Sequence, residues 1–131
     1  MMIPVATVLA RGRAHAVRLM TDTCVITRVT GTAIAGNGDT TPTTTEVYTG
    51  ACRVRPRQTQ DRMIEQGGTE VGVGDLVVSV PITATGILPG DIVTITASTY
   101  DTDLVDRVMT VLGALHGSQI TARRLSCQEV S

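Results

Sequence analysis

Side chains able to carry acid–base, nucleophilic or metal chemistry are few in this chain of 131 residues, and their spacing keeps them apart. His15 and His116 are the two histidines. A nucleophile–base pair would need one of them beside a Ser or Cys with an orienting carboxylate, and no nucleophile elbow is present. Cys24, Cys52 and Cys127 contain no C-x-x-C pair. Their odd number and wide spacing read as reduced thiols of a cytoplasmic product, acting as small buried hydrophobes. Asp101, Asp103 and Asp106 imitate the first half of a calcium loop, because alternate carboxylates can converge on a hard cation. They lack the glycine of the sharp turn and the closing bidentate glutamate, so a strand-connecting turn is expected. Gly67, Gly68, Gly72 and Gly74 are followed by no Gly-Lys-Ser/Thr and open no helix, which excludes a phosphate loop. The residues therefore predict no catalytic, metal-binding or cofactor-binding site and no enzyme.

Charge narrows the remaining classes. The formal net charge is −1, which argues against a protein that grips nucleic acid through a strongly basic surface. All 11 basic side chains are Arg. That choice suits bidentate contacts across protein interfaces, and GC-rich codon usage would produce it equally well. The apolar stretch at the N-terminus precedes Arg11, Arg13 and Arg18, the wrong polarity for a secretory leader, and no run approaches the roughly 20 apolar residues of a membrane span. A soluble protein without a membrane partner is expected.

The elements that would have to position any site read as follows. Residues 4–20 form an amphipathic helix: Val5, Val8, Leu9, Gly12, Ala16, Leu19 and Met20 recur at spacings of three and four, and Pro4 suits a first turn. Such a helix needs either its own barrel or a neighbouring subunit to lie against. Strands are expected at Thr23–Thr30, Glu46–Arg55 and Asp75–Val80, the last closed by Pro81. In the second, Tyr48, Gly50, Cys52 and Val54 alternate with Arg53 and Arg55, which points the arginines away from the core. Three further short runs, in LPGDIVTITA, DTDLVDRVMTVLG and SQITARRLSCQEV, have the Val, Ile and Thr content and the turn punctuation of a small meander. Residues 31–45 read as a long hairpin loop and residues 58–74 as a second long loop. The fold predicted is all-β: a single domain over residues 1–131, with a small antiparallel β-barrel over residues 22–131, long loops and one N-terminal α-helix. Its core must form without Phe or Trp, with Tyr48 and Tyr100 as the aromatics. So poor a supply of large side chains suggests support from partner subunits.

The ordered segments ARGRAHAVRLMTDTCVITRVTG, TEVYTGACRVRP, LPGDIVTI, LVDRVMTVLG and ITARRLSCQE resemble the head-to-tail stopper, or head-closure, proteins of long-tailed bacteriophages, particularly those of actinobacterial hosts. The similarity spans nearly the whole chain and is weakest over residues 58–69. Two departures stand out: Val105-Asp106-Arg107 replaces a more usual Gly before Arg, and Val108-Met109 stands where an aromatic is common. The resemblance implies a structural head-tail connector protein of the virion neck, assembled in the host cytoplasm. It would form a homo-oligomeric ring of about six copies, twelve being the alternative, built from heterologous contacts. Its partners would be the portal-side adaptor, the tail terminator or tail tube, and the packaged viral DNA passing through the ring.

On this reading the loop with Gln58, Gln60, Asp61, Arg62, Glu65, Gln66, Gly67 and Gly68 is the candidate gate, and residues 31–45 are a second candidate or a docking loop. Arg11, Arg18, Arg53, Arg55 and Arg57 are the candidate subunit or adaptor contacts. Two other classes compete: a tail terminator or other neck component, for which an α/β sandwich would be expected, and a cytoplasmic small-barrel binding module, which lacks an aromatic stacking platform here.

Overall fold

Short runs of β-branched residues cannot bury an apolar face alone, and here they close on one another. The computed structural model describes residues 4–56 and 75–129. It contains a helix α1 (Val5–Arg18) and six strands: β1 (Asp22–Ile34), β2 (Thr40–Pro56), β3 (Asp75–Val80), β4 (Ile92–Ser98), β5 (Val108–Ala114) and β6 (Arg123–Glu129). All neighbours are antiparallel, and they close a barrel in the order β1-β2-β3-β6-β5-β4. The predicted all-β barrel with one N-terminal helix is the observed architecture.

The core follows from strand alternation. Cys24 and Ile26 on β1, Cys52 on β2, Val78 and Val80 on β3, Val93 and Ile95 on β4, Met109 and Val111 on β5, and Leu125 and Cys127 on β6 all point inward and are buried. A barrel of eight strands already has an interior just wide enough for side chains to fill. Six strands enclose less, so a narrow interior packed by Val, Ile, Leu, Met and Cys leaves no room for many large rings. Tyr48 sits at the rim of this core, where its hydroxyl donates to the Ala51 carbonyl at 2.8 Å. Gly50 lies beneath it, and a Cβ there would stand 2.8 Å from that hydroxyl.

The loop expected at residues 31–45 is instead a paired ribbon. The β1–β2 ladder runs on through Gly31↔Thr43, Thr32↔Pro42, Ala33↔Thr41 and Ile34↔Thr40, leaving a tip at residues 35–39 that is closed by the Ala35 N–H on the Asp39 carbonyl at 2.7 Å. Its threonines supply strand propensity, but both faces are exposed, so the sequence shows none of the apolar alternation that marks a half-buried strand.

The turn between β4 and β5 carries the chain's one non-glycine residue with a left-handed backbone among those described, Asp106 at φ 72°. Its N–H donates to the Ile95 carbonyl at 2.7 Å, which fixes that conformation. A glycine pays no Cβ penalty there, and the resemblance has Gly at this place. Asp106→Gly is therefore expected to leave stability unchanged or raise it by up to about 1 kcal/mol, read from chemical denaturation. A loss above that range would show that the Asp106 side chain holds the turn.

The helix is only lightly attached. Pro4 precedes it, as expected, and none of its residues is buried. Its contact with the barrel runs through the segment before β6: Gly12 lies so close to Thr121 that a Cβ would meet the Thr121 methyl at 2.9 Å, and Arg13 Nε donates to the Ile120 carbonyl at 3.1 Å. Val5 and Val8 stay 60% and 54% exposed, so the N-terminal half of the apolar stripe is uncovered. Among the described residues no helix is long and apolar enough to cross a membrane.

Candidate functional site

The groups first considered for chemistry are dispersed by the fold. His116 is exposed, with Nδ1 3.2 Å from Arg123 Nη1, while His15 stands on α1. Asp101 takes the Asp103 N–H on its side chain at 3.1 Å and so caps a single turn of 3-10 helix at Thr102–Leu104, as the turn reading requires. Among the described residues no group of three His, Cys, Asp or Glu side chains is arranged to hold a metal ion.

The three cysteines are free and buried inside the barrel. The Cys52 thiol is pushed far above its usual range by its hydrogen bond with Cys24 and by burial. Burial, with a smaller contribution from Cys24, pushes Cys127 up to about 12. The same surroundings raise Tyr48 to about 12, burial first and then the two neighbouring thiols. Because the thiolate is the reactive form, Cys52 and Cys127 are poor nucleophiles, and Cys24 is shielded by its complete burial. A thiol reagent should label none of the three in the folded protein at neutral pH and all three in denaturant. Fast labelling of the native chain would show that the barrel opens.

The strongest buried polar arrangement is one that sequence reasoning missed. Asp91, 2% exposed, accepts from Arg28 Nε and Nη2 at 2.9 Å each and from the Leu88 N–H at 2.8 Å. Arg28 Nη2 also reaches the Gly86 carbonyl at 2.6 Å. Burial alone would raise the Asp91 pKa, but the Arg28 hydrogen bonds, the Leu88 N–H and the Arg28 charge outweigh it and hold the carboxyl below its usual range. The pair staples the loop carrying the buried Ala84 and Ile87 onto β1. A signal was present, because Arg28 follows Cys24 and Ile26 on the inward face of β1, where a charge needs a partner.

The interface candidates divide. Arg11 and Arg18 are exposed on α1, and Arg53 and Arg55 point outward from β2 as expected. Arg57 and the candidate gate at residues 58–68 lie outside the described residues. What the sequence did not reveal is the company Arg53 and Arg55 keep. Register places Arg53 beside Ser79 of β3, and Ser79 beside Arg124 of β6, in one outward row. The row above it is Arg55, Val77 and Ser126. Three guanidinium groups thus gather on one wall of the barrel. The C-terminal half of α1 overhangs that wall and leaves a groove of about 380 Å³, lined by Ala16, Leu19, Met20, Arg53, Arg55 and Arg124 among others. No Asp or Glu among the described residues lines it. Arg55 Nε is shut off from solvent and finds no acceptor among the described residues.

The arrangement can bind anions beside an apolar surface, with His15 and Ser79 also among its lining residues. Comparison with solved structures gives a likeness to protein SF1141 from Shigella flexneri 2a, with a TM-score of 0.59 and 16% identity, covering 84% of this chain and 92% of that one. At that identity the likeness establishes the fold alone. No curated protein matches the chain. The sequence pattern of DUF6093, a family of unknown function, matches residues 12–128, and the chain belongs to that family.

Proposed function

We propose that this chain is a structural subunit of a phage virion neck, one copy in a ring between the portal-side adaptor and the tail that closes the DNA-filled head and gives the tail a surface to dock on. The observation that carries this reading is a closed barrel whose outer wall is unfinished: an arginine-lined groove, a helix with an exposed apolar stripe, and a projecting β-ribbon all stand ready for other chains. The ordered resemblance to stopper proteins supplies the setting. A small rigid barrel with extended appendages suits a ring subunit, since the barrel keeps its shape while the appendages make the joints. The all-β barrel also speaks against a tail terminator, for which helices covering a sheet would be expected.

The test is genetic and structural. In a phage that encodes this chain, stopping its translation should yield heads that lose their DNA and free tails that do not join them. Normal tailed particles lacking the protein would overturn the reading. The clustering of Arg53, Arg55 and Arg124 also favours a second reading, a barrel that binds nucleic acid. Affinity for single-stranded DNA that falls steeply with salt and vanishes in Arg53→Ser/Arg124→Ser would replace the neck assignment with that one.

A further inference from the structure

The barrel carries two unlike patches. One is the arginine-lined groove over β2, β3 and β6. The other is the turn joining β4 to β5, at the end of the barrel where β1 begins, with Thr99 Oγ1 donating to the Thr21 carbonyl at 2.8 Å. That turn holds Tyr100, 83% exposed, followed by the exposed carboxylates of Asp101, Asp103 and Asp106. The nearest cation among the described residues, Arg107, is paired with Glu129 and also feels Asp103 and Asp101, so one guanidinium is shared among four carboxylates and the turn stays negative. We infer that the groove receives the Tyr100–Asp106 turn of a second copy of this chain.

Each half lacks what the other provides. Among the described residues the groove has guanidinium groups with no carboxylate, including a buried Arg55 Nε without an acceptor, and an apolar flank of Ala16, Leu19 and Met20. The turn has an excess of carboxylate over cation among the described residues and an aromatic ring left in water. Guanidinium–carboxylate pairs are strong when bidentate, arginine also stacks on aromatic faces, and tyrosine is a common interface anchor. Because the patches differ, the contact is heterologous: each copy uses its groove on one neighbour and its turn on the other. Such a contact propagates until it closes into a ring. The inference rests on the ring-subunit reading for that closure, while the contact itself concerns two copies alone.

The experiment is sedimentation velocity on the purified chain in low and high salt. The wild type should self-associate with concentration and dissociate as salt rises, because exposed charges are screened. Arg53→Ser/Arg124→Ser empties the groove, and Tyr100→Ser/Asp103→Asn empties the turn. Each variant alone should be a monomer with unchanged circular dichroism, its self-dissociation constant raised at least about tenfold. Mixed in equal amounts, the two should form a dimer and stop there, since between them they have one intact groove and one intact turn. A wild type that stays monomeric, a variant that associates like the wild type, or a mixture that forms no dimer would each overturn the assignment. If the wild type associates and the groove variant does so equally, the ring reading survives and the groove assignment fails. If the mixed dimer forms but phage lacking the protein assemble normally, the contact stands and the neck role fails.

Discussion

Leu125→Ala is expected to cost about 2–5 kcal/mol, the range for deleting a fully buried aliphatic side chain in a core that cannot collapse around the gap. Leu125 is wholly buried, lies opposite Val78 on β3 and Ala114 on β5, and joins the two halves of the barrel interior. Its neighbours are held by ladders on both sides, so the cavity will persist. A chain of this size has roughly 5–15 kcal/mol of stability in total. The loss should therefore shift the urea midpoint by about 1 M or more. Ile34→Ala is the control: Ile34 is 76% exposed on the ribbon, and its truncation should change stability by less than about 0.5 kcal/mol. A Leu125→Ala loss below about 1 kcal/mol would mean that the barrel does not close around this position.

What was legible in the sequence and what was not follow one physical divide. The strand at Asp75–Val80 and the C-terminal meander could be read because they turn one face to the core, and burial writes a period into the sequence; the helix could be read from its apolar stripe, although none of its residues is buried. The ribbon beyond Thr30 buries neither face, so its pairing left no trace except threonine content. The absence of Phe and Trp pointed to help from partner subunits, and the closed barrel supplies a second cause in its narrow interior. Arg53 and Arg55 were placed on the outer face by alternation, but Arg124 could not be joined to them. That union depends on β6 inserting between β3 and β5, a pairing between segments far apart in the chain that local pattern does not encode. Asp91 was hidden differently. A Gly-Asp before a strand reads as turn chemistry, and only the inward phase of Arg28 betrays that this carboxylate is buried and paired.

Asp91→Ala is expected to lower stability by about 2 kcal/mol or more, because it removes charge-assisted hydrogen bonds from a buried site and releases the loop they hold. Asp91→Asn is the sharper probe, since it keeps an acceptor for the Leu88 N–H while deleting the charge that faces Arg28. The pH dependence has a definite sign. The folded carboxyl lies below the ordinary carboxylate value near 4, so in the unfolded chain it binds its proton more readily. The stabilisation is then fully present above the unfolded value and is lost as pH falls through the folded one. Other carboxylates titrate in the wild type and the variant alike and cancel in their difference. The deficit of Asp91→Asn, measured by urea denaturation, should accordingly hold constant from pH 7 to about 5 and shrink below about 4. A deficit that is equal at pH 7 and pH 3 would show that the Arg28–Asp91 pair contributes shape to the loop and no electrostatic stabilisation.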